Sequence, residues 1–185
     1  MLYQVELLPP QILIIAITGK ERSRRTQKAR VRAYRPGAVE RIVPIARLNR
    51  NTLRKLAESR LEEARILLDN RQWTGAYYLT GLAIECALKS CLASEVKQHD
   101  FPDKQFVNAM YVYNLENLFK LNAALWVGLQ TEMQANPRLT VNWSTIKDWD
   151  DGKRYSVVEE LESKALFEAA TEAASGLMVW LRGRW

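Results

Sequence analysis

From Ala76 to Ile84 the chain reads Ala-Tyr-Tyr-Leu-Thr-Gly-Leu-Ala-Ile, which is apolar on nearly every side of a helix. A helix without a polar face must be wrapped by other elements, so this run predicts a central helix in a bundle. We place it from about Thr74, a candidate N-cap, to about Lys97. Gly81 costs helix propensity there, which predicts that another helix approaches closely where a side chain has been removed. Glu85 and Lys89 follow, four apart with the acid first, the favourable order for an intrahelical ion pair.

The flanking sequence supplies the wrapping. Leu53, Leu56, Ala57, Leu61, Ala64, Leu67 and Leu68 recur at spacings of three and four, one apolar stripe on an amphipathic helix. Asn51 is its candidate N-cap, and Asp69-Asn70 ends it in a turn. His99 to Asp103 contains Pro102 and breaks the chain. A shorter helix is expected over Asn114–Ala124 and another over Trp126–Ala135, closed by Asn136-Pro137. The stretch from Leu139 to Tyr155 carries Trp143, Trp149 and a turn at Asp150-Asp151-Gly152. A last helix is expected over Ser156–Arg182, with Val158, Leu161, Ala165, Phe167, Ala169, Ala173, Leu177 and Trp180 inward. Glu159, Glu160 and Glu162 near its start and Arg182 near its end suit the helix dipole. No two runs alternate as paired strands do. The expected fold is all-α, an antiparallel bundle of four or five helices.

Residues 1–50 differ from the rest. They hold eleven Lys and Arg against Glu6, Glu21 and Glu40, a charge of +8, so the remaining 135 residues carry −2 of the chain's +6. The helical body therefore has no general affinity for polyphosphate. The basic segment has three readings: a disordered tail, an electrostatic arm for nucleic acid, or sequence upstream of the true start. The last needs a non-AUG start near Val43 or Leu48, since no methionine lies between Met1 and Met110. The domain boundary is expected at residues 50–51.

Cys86 and Cys91 lie on opposite flanks of the central helix and read as buried thiols in a reducing compartment. Zinc needs about four ligands, and with one histidine, His99, in a polar loop, no metal site or cofactor is expected. Ile12–Ile17 is too short to span a bilayer and has no basic stretch before it. The expectation is a cytoplasmic protein without membrane contact.

The segment Gly75 to Lys89, Gly-Ala-Tyr-Tyr-Leu-Thr-Gly-Leu-Ala-Ile-Glu-Cys-Ala-Leu-Lys, resembles the signature of HEPN domains (higher eukaryotes and prokaryotes nucleotide-binding). Leu56–Leu61, Ala64–Leu68, Phe101–Lys104, Tyr111–Leu118, Trp143 with Trp149, and Arg154-Tyr155 follow in the family's order. The resemblance covers about Asn51 to Trp185. It implies a helical bundle, commonly a homodimer. Many members are ribonucleases using an Arg and a His with four to six residues between them. Others pair with a small nucleotidyltransferase as toxin and antitoxin.

This chain departs from the nuclease pattern. Ser94, Ala93 and Leu92 precede His99 at the spacings where an arginine is expected. Relatives with this signature often carry Tyr-Thr-His-Asp-Leu where this chain has Tyr111-Val112-Tyr113-Asn114-Leu115. Tyrosine and asparagine lack the neutral-pH proton exchange of histidine. Arg154 and Tyr155, as a phosphate clamp with a stacking ring, and Tyr113 are the candidate catalytic residues; Lys89 and Arg154 are the candidate phosphate contacts. Each has a plainer reading: Arg154 on the surface with Tyr155 packed on Trp149, and Lys89 paired with Glu85. Trp73, Tyr77 and Tyr78 read as core or interface aromatics. The expected function is a non-catalytic or weakly catalytic partner of a minimal nucleotidyltransferase in a toxin–antitoxin or defence-type module. The alternatives are a metal-independent endoribonuclease with a non-standard site, binding nucleotide or RNA, and a homodimeric scaffold.

Overall fold

The computed structural model describes residues 48–96, 101 and 103–185. The readings of the basic N-terminal segment, and those of His99 and Pro102, lie outside the described residues. Among the described residues there is no strand. There are eight α-helices, α1 (Arg50–Asp69), α2 (Trp73–Leu92), α3 (Lys104–Ala109), α4 (Leu115–Lys120), α5 (Ala123–Ala135), α6 (Pro137–Lys147), α7 (Glu160–Thr171) and α8 (Leu177–Arg182), and a 3₁₀ turn at Asp151–Tyr155.

The all-helical bundle is as expected, and α2 sits at its centre. It packs most extensively on α1 and also meets α4, α7, α8 and the 3₁₀ turn. Small residues make this possible: Ala76, Thr80, Gly81, Ala83, Ala87 and Ser90 are all buried. The two buried hydroxyls are satisfied within their own helix, Thr80 donating to the Ala76 carbonyl at 2.8 Å and Ser90 to that of Ala87 at 2.7 Å. On α1 the buried stripe is Leu53, Ala57, Leu61 and Ala64, four of the seven residues its periodicity marked. A second centre forms around the fully buried Phe119, whose ring meets Trp143 edge-on at 5.0 Å and Trp180 at 6.2 Å.

Several boundaries differ from the sequence expectation. Asn49, not Asn51, caps α1, its side chain accepting from the Thr52 amide at 3.0 Å. Thr74 does not cap α2; its hydroxyl accepts from the Val158 amide at 3.0 Å and so ties α2 to the segment before α7. Helix α2 stops at Leu92 rather than Lys97, where the amides of Ser94 and Glu95 switch to i−3 carbonyls. Asn136-Pro137 ends α5 but also opens α6. Proline at the first helical position loses no bond there, and the Asn136 side chain accepts from the Leu139 amide at 3.1 Å.

The expected helix over Ser156–Arg182 is broken. Its first residues are extended, and α7 and α8 are separated at 172–176. Gly176 marks the break, since a Cβ there would stand 2.5 Å from the Glu172 carbonyl oxygen. The Ser175 carbonyl is taken by the Asn142 side chain at 2.9 Å and the Ser175 hydroxyl is linked to Asn136. Leu161, expected inward, is 81% exposed. The rotation of α7 is fixed by Ser163, which donates to the Trp73 carbonyl at 2.8 Å, so its buried face is Ser163, Leu166, Ala169 and Ala170. Ala173 is also exposed because it falls in the break.

Gly81 is explained by close approach, but of an indole rather than of a helix. A Cβ at position 81 would lie 2.0 Å from Cε2 and 2.1 Å from Nε1 of Trp149. Trp149 is 5% exposed. It plugs into α2 just after the end of α6 and thereby brings the following acidic turn against the middle of α2.

Candidate functional site

The turn that Trp149 delivers forms one wall of a cleft of about 370 Å³, lined by Tyr113, Asn114, Lys147, Asp148, Trp149, Asp150 and Asp151. The opposite side is set by the loop before α4. Asn114 caps α4, its Oδ1 accepting from the Asn117 amide at 2.8 Å. Its role is thus to open a helix, and the cap leaves the preceding Tyr113 half-exposed at the mouth. Asp150 caps the 3₁₀ turn, accepting from the Gly152 amide at 2.9 Å. Tyr77 on α2 lies beneath this turn, with the Lys153 ammonium 5.7 Å from its ring centroid. Burial pushes the Tyr77 hydroxyl above its ordinary pKa, and contact with the backbone of Asp150 partly offsets this.

Behind the cleft, Glu85 and Lys89 form the expected pair at 2.6 Å. It is not a surface pair, since their side chains are 6% and 17% exposed. Removal from water raises the Glu85 carboxyl pKa, the bond to Lys89 opposes this, and the negative charge of Asp151 adds to the rise. Glu85 Oε2 is buried with no hydrogen-bond partner. The Lys89 ammonium also stands 5.8 Å from the Tyr113 ring centroid. Asp151 accepts from the Arg154 guanidinium at 2.7 Å, and that guanidinium lies 4.8 Å from the Tyr155 ring centroid. Tyr155 first and Asp151 second hold the Arg154 guanidinium more firmly protonated.

The candidates from the sequence are therefore brought together in part. Lys89 touches Tyr113, and Arg154 touches Asp151 on the far wall of the same cleft. Tyr155 does not pack on Trp149. It is 83% exposed, and Tyr78 is the ring beside Trp149, at 6.4 Å. Trp73 and Tyr78 are half-buried and Tyr77 is in the core. Neither candidate phosphate contact is without a partner, because Glu85 holds Lys89 and Asp151 holds Arg154. The acidic wall was visible in the sequence only as a turn; what it lacked was the knowledge that Gly81 admits Trp149 and so places the turn on α2.

Among the described residues no cluster of His, Cys, Asp or Glu is arranged to hold a metal ion, and no helix is long and apolar enough to cross a membrane. Both cysteines are free and buried. Burial pushes the Cys86 thiol up to about 11, helped by the charge of Glu85, so it is not a nucleophile near neutrality. No family model matches the chain, and no curated protein or solved structure matches it.

Proposed function

We propose that the chain is a HEPN-like helical protein that acts without catalysis, or with only weak catalysis, as the partner of a minimal nucleotidyltransferase in a toxin–antitoxin or related defence module. The observation that carries the non-catalytic part is the closure of Arg154 on Asp151 at 2.7 Å, beside a cleft walled by Asp148, Asp150 and Asp151. A ribonuclease needs a cation available to phosphate and a group that exchanges protons near neutral pH. Here the cations at the cleft are paired, Arg154 with Asp151 and Lys147 with Asp148 at 3.4 Å, and no lining residue is a histidine. Glu85, whose carboxyl burial pushes toward neutrality, is enclosed and bonded to Lys89. The identity of the companion rests on the resemblance over Gly75–Lys89, a fold-level analogy.

The test is to tag the C-terminus at the native locus, purify gently and weigh everything that elutes. A nucleotidyltransferase at equal stoichiometry supports the proposal; its absence removes the stable partner. In parallel, RNA cleavage that persists in EDTA and disappears in Arg154→Ala would replace this reading with the endoribonuclease one, in which Arg154, Tyr155 and Tyr113 act on RNA.

A further inference from the structure

Helix α1 closes on a residue in the left-handed region. Arg71 stands at φ 59°, while the preceding Asn70 is at φ −96°. The left-handed region suits glycine and tolerates asparagine; for an arginine it is uncommon and costly. The backbone holds the turn, since the amides of Asn70, Arg71 and Gln72 donate to the carbonyls of Ile66, Leu68 and Leu67. A strained residue that the turn itself does not require points to a task for its side chain. That side chain lines a cleft of about 620 Å³ between the end of α1, the start of α2 and α7. Half-buried Leu68, Trp73 and Phe167 supply the apolar wall. The wall is pinned: Ser163 donates to the Trp73 carbonyl at 2.8 Å, and the next residue, Lys164, sets its ammonium 5.4 Å from the Trp73 ring centroid. The other cations of the lining are held, Arg65 by Glu62 and Asp69 at 2.6 and 2.9 Å and Lys164 by Glu160 at 2.5 Å. The Arg71 side chain makes no hydrogen bond or ion pair among the described residues.

We propose that this cleft binds a small organic acid, a single carboxylate on a flat apolar body, with Arg71 as the partner of the carboxylate. The guanidinium is a planar fork that takes a carboxylate through two parallel N–H bonds. Trp73, Leu68 and Phe167 would cover the body of the ligand, and the cleft falls within the range of small-molecule sites, about 300–1,000 Å³. Charge narrows the class further. Asp69 and Glu160 also line the cleft, so a polyphosphate would meet two carboxylates and one unpaired cation, whereas a monoanion is matched by Arg71 alone. The site is separate from the cleft of Tyr113 and Asp151, with which it shares no lining residue. The inference therefore does not depend on the proposed nucleotidyltransferase partner. It also accounts for the residue at position 71: glycine would close α1 with less strain and would leave the charge of the ligand without a partner.

The experiment is a nuclear magnetic resonance titration of the isotope-labelled full chain with naphthylacetate, naphthylacetamide and ATP in turn. Naphthylacetate should shift the Trp73 indole N–H and the Arg71 amide saturably, with a dissociation constant of about 0.1–1 mM. The amide keeps the apolar body and loses the charge, and should bind at least about tenfold more weakly. ATP should leave these signals in place. Arg71→Gly and Arg71→Gln should each weaken naphthylacetate binding at least about tenfold. Arg71→Gly relieves the backbone and is expected to fold at least as well as the wild type, so loss of binding there reports the guanidinium rather than a damaged fold. The proposal is overturned if naphthylacetate gives no saturable shift at Trp73 up to about 10 mM. It is also overturned if the amide binds as tightly, if either Arg71 variant binds as the wild type does, or if ATP binds more tightly than naphthylacetate at these residues.

Discussion

Replacing Gly81 by alanine isolates the contact that positions the cleft. In an ordinary helix interior the change is favourable by about 0.5–1 kcal/mol, since alanine loses less backbone entropy. Here the new methyl would begin 2.0 Å from Trp149 Cε2, and ordinary contact starts at 3.4 Å. Either the indole or α2 must therefore move by more than an ångström. The ring has little room, being 5% exposed with Tyr78 on one side. Overpacking of this kind costs about 1–3 kcal/mol, and a clash this deep belongs at the upper end. The net expectation is destabilisation by about 2 kcal/mol, a fall in melting temperature of roughly 6–10 °C for a domain of this size. Urea unfolding should show a lower midpoint with an unchanged slope. The decisive comparison repeats Gly81→Ala in a Trp149→Leu background, where the smaller side chain leaves space and the substitution should become neutral or stabilising. Gly81→Ala that stabilises the wild type, or costs the same in both backgrounds, would refute the reasoning.

Other consequences are equally open to measurement. Glu85 has a raised folded-state pKa, so its contribution to stability is full below the unfolded value of 4.5 and is lost as pH rises through the folded value; Glu85→Gln should therefore compare better with the wild type at neutral pH than at acid pH, and a pH-independent difference would contradict the assignment. Arg71 closes α1 at φ 59°, in a motif where the Gln72 amide bonds the Leu67 carbonyl at 2.8 Å; Arg71→Gly should stabilise by about 1 kcal/mol in thermal unfolding. Cys86, buried with its thiol pKa near 11, and Cys91, also buried, should resist alkylation at mildly alkaline pH until denaturant unfolds the bundle; rapid labelling of the native protein would be inconsistent with the packing.

The central helix was legible because a run with no polar face has only one stable environment. The stripe of α1 was legible because only one of its faces is buried. The breaks were harder to read. The spacing Leu139, Asn142, Trp143, Ile146 is that of a helix, yet the proline before it looked like an ending, and only the cap formed by Asn136 shows it to be a beginning. The α7–α8 interruption follows from side chains 33 and 39 residues away, Asn142 and Asn136 reaching Ser175, and no local pattern carries that. Of the site, the Glu85–Lys89 pair could be read from spacing alone. The meeting of Tyr113 with Lys89 and of Arg154 with Asp151 depends on where a tryptophan enters α2.

The burial of α2 also separates the most patterned stretch of this chain from what it presents to others. The segment Gly75–Lys89 is its most distinctive stretch of sequence, yet from Ala83 to Leu88 every side chain is buried. What the chain offers to its surroundings are instead exposed residues such as Tyr113 and Arg154, which stand in loops and turns that can change at small cost to stability. Chains sharing this central helix can thus share an interior while differing in everything a partner touches.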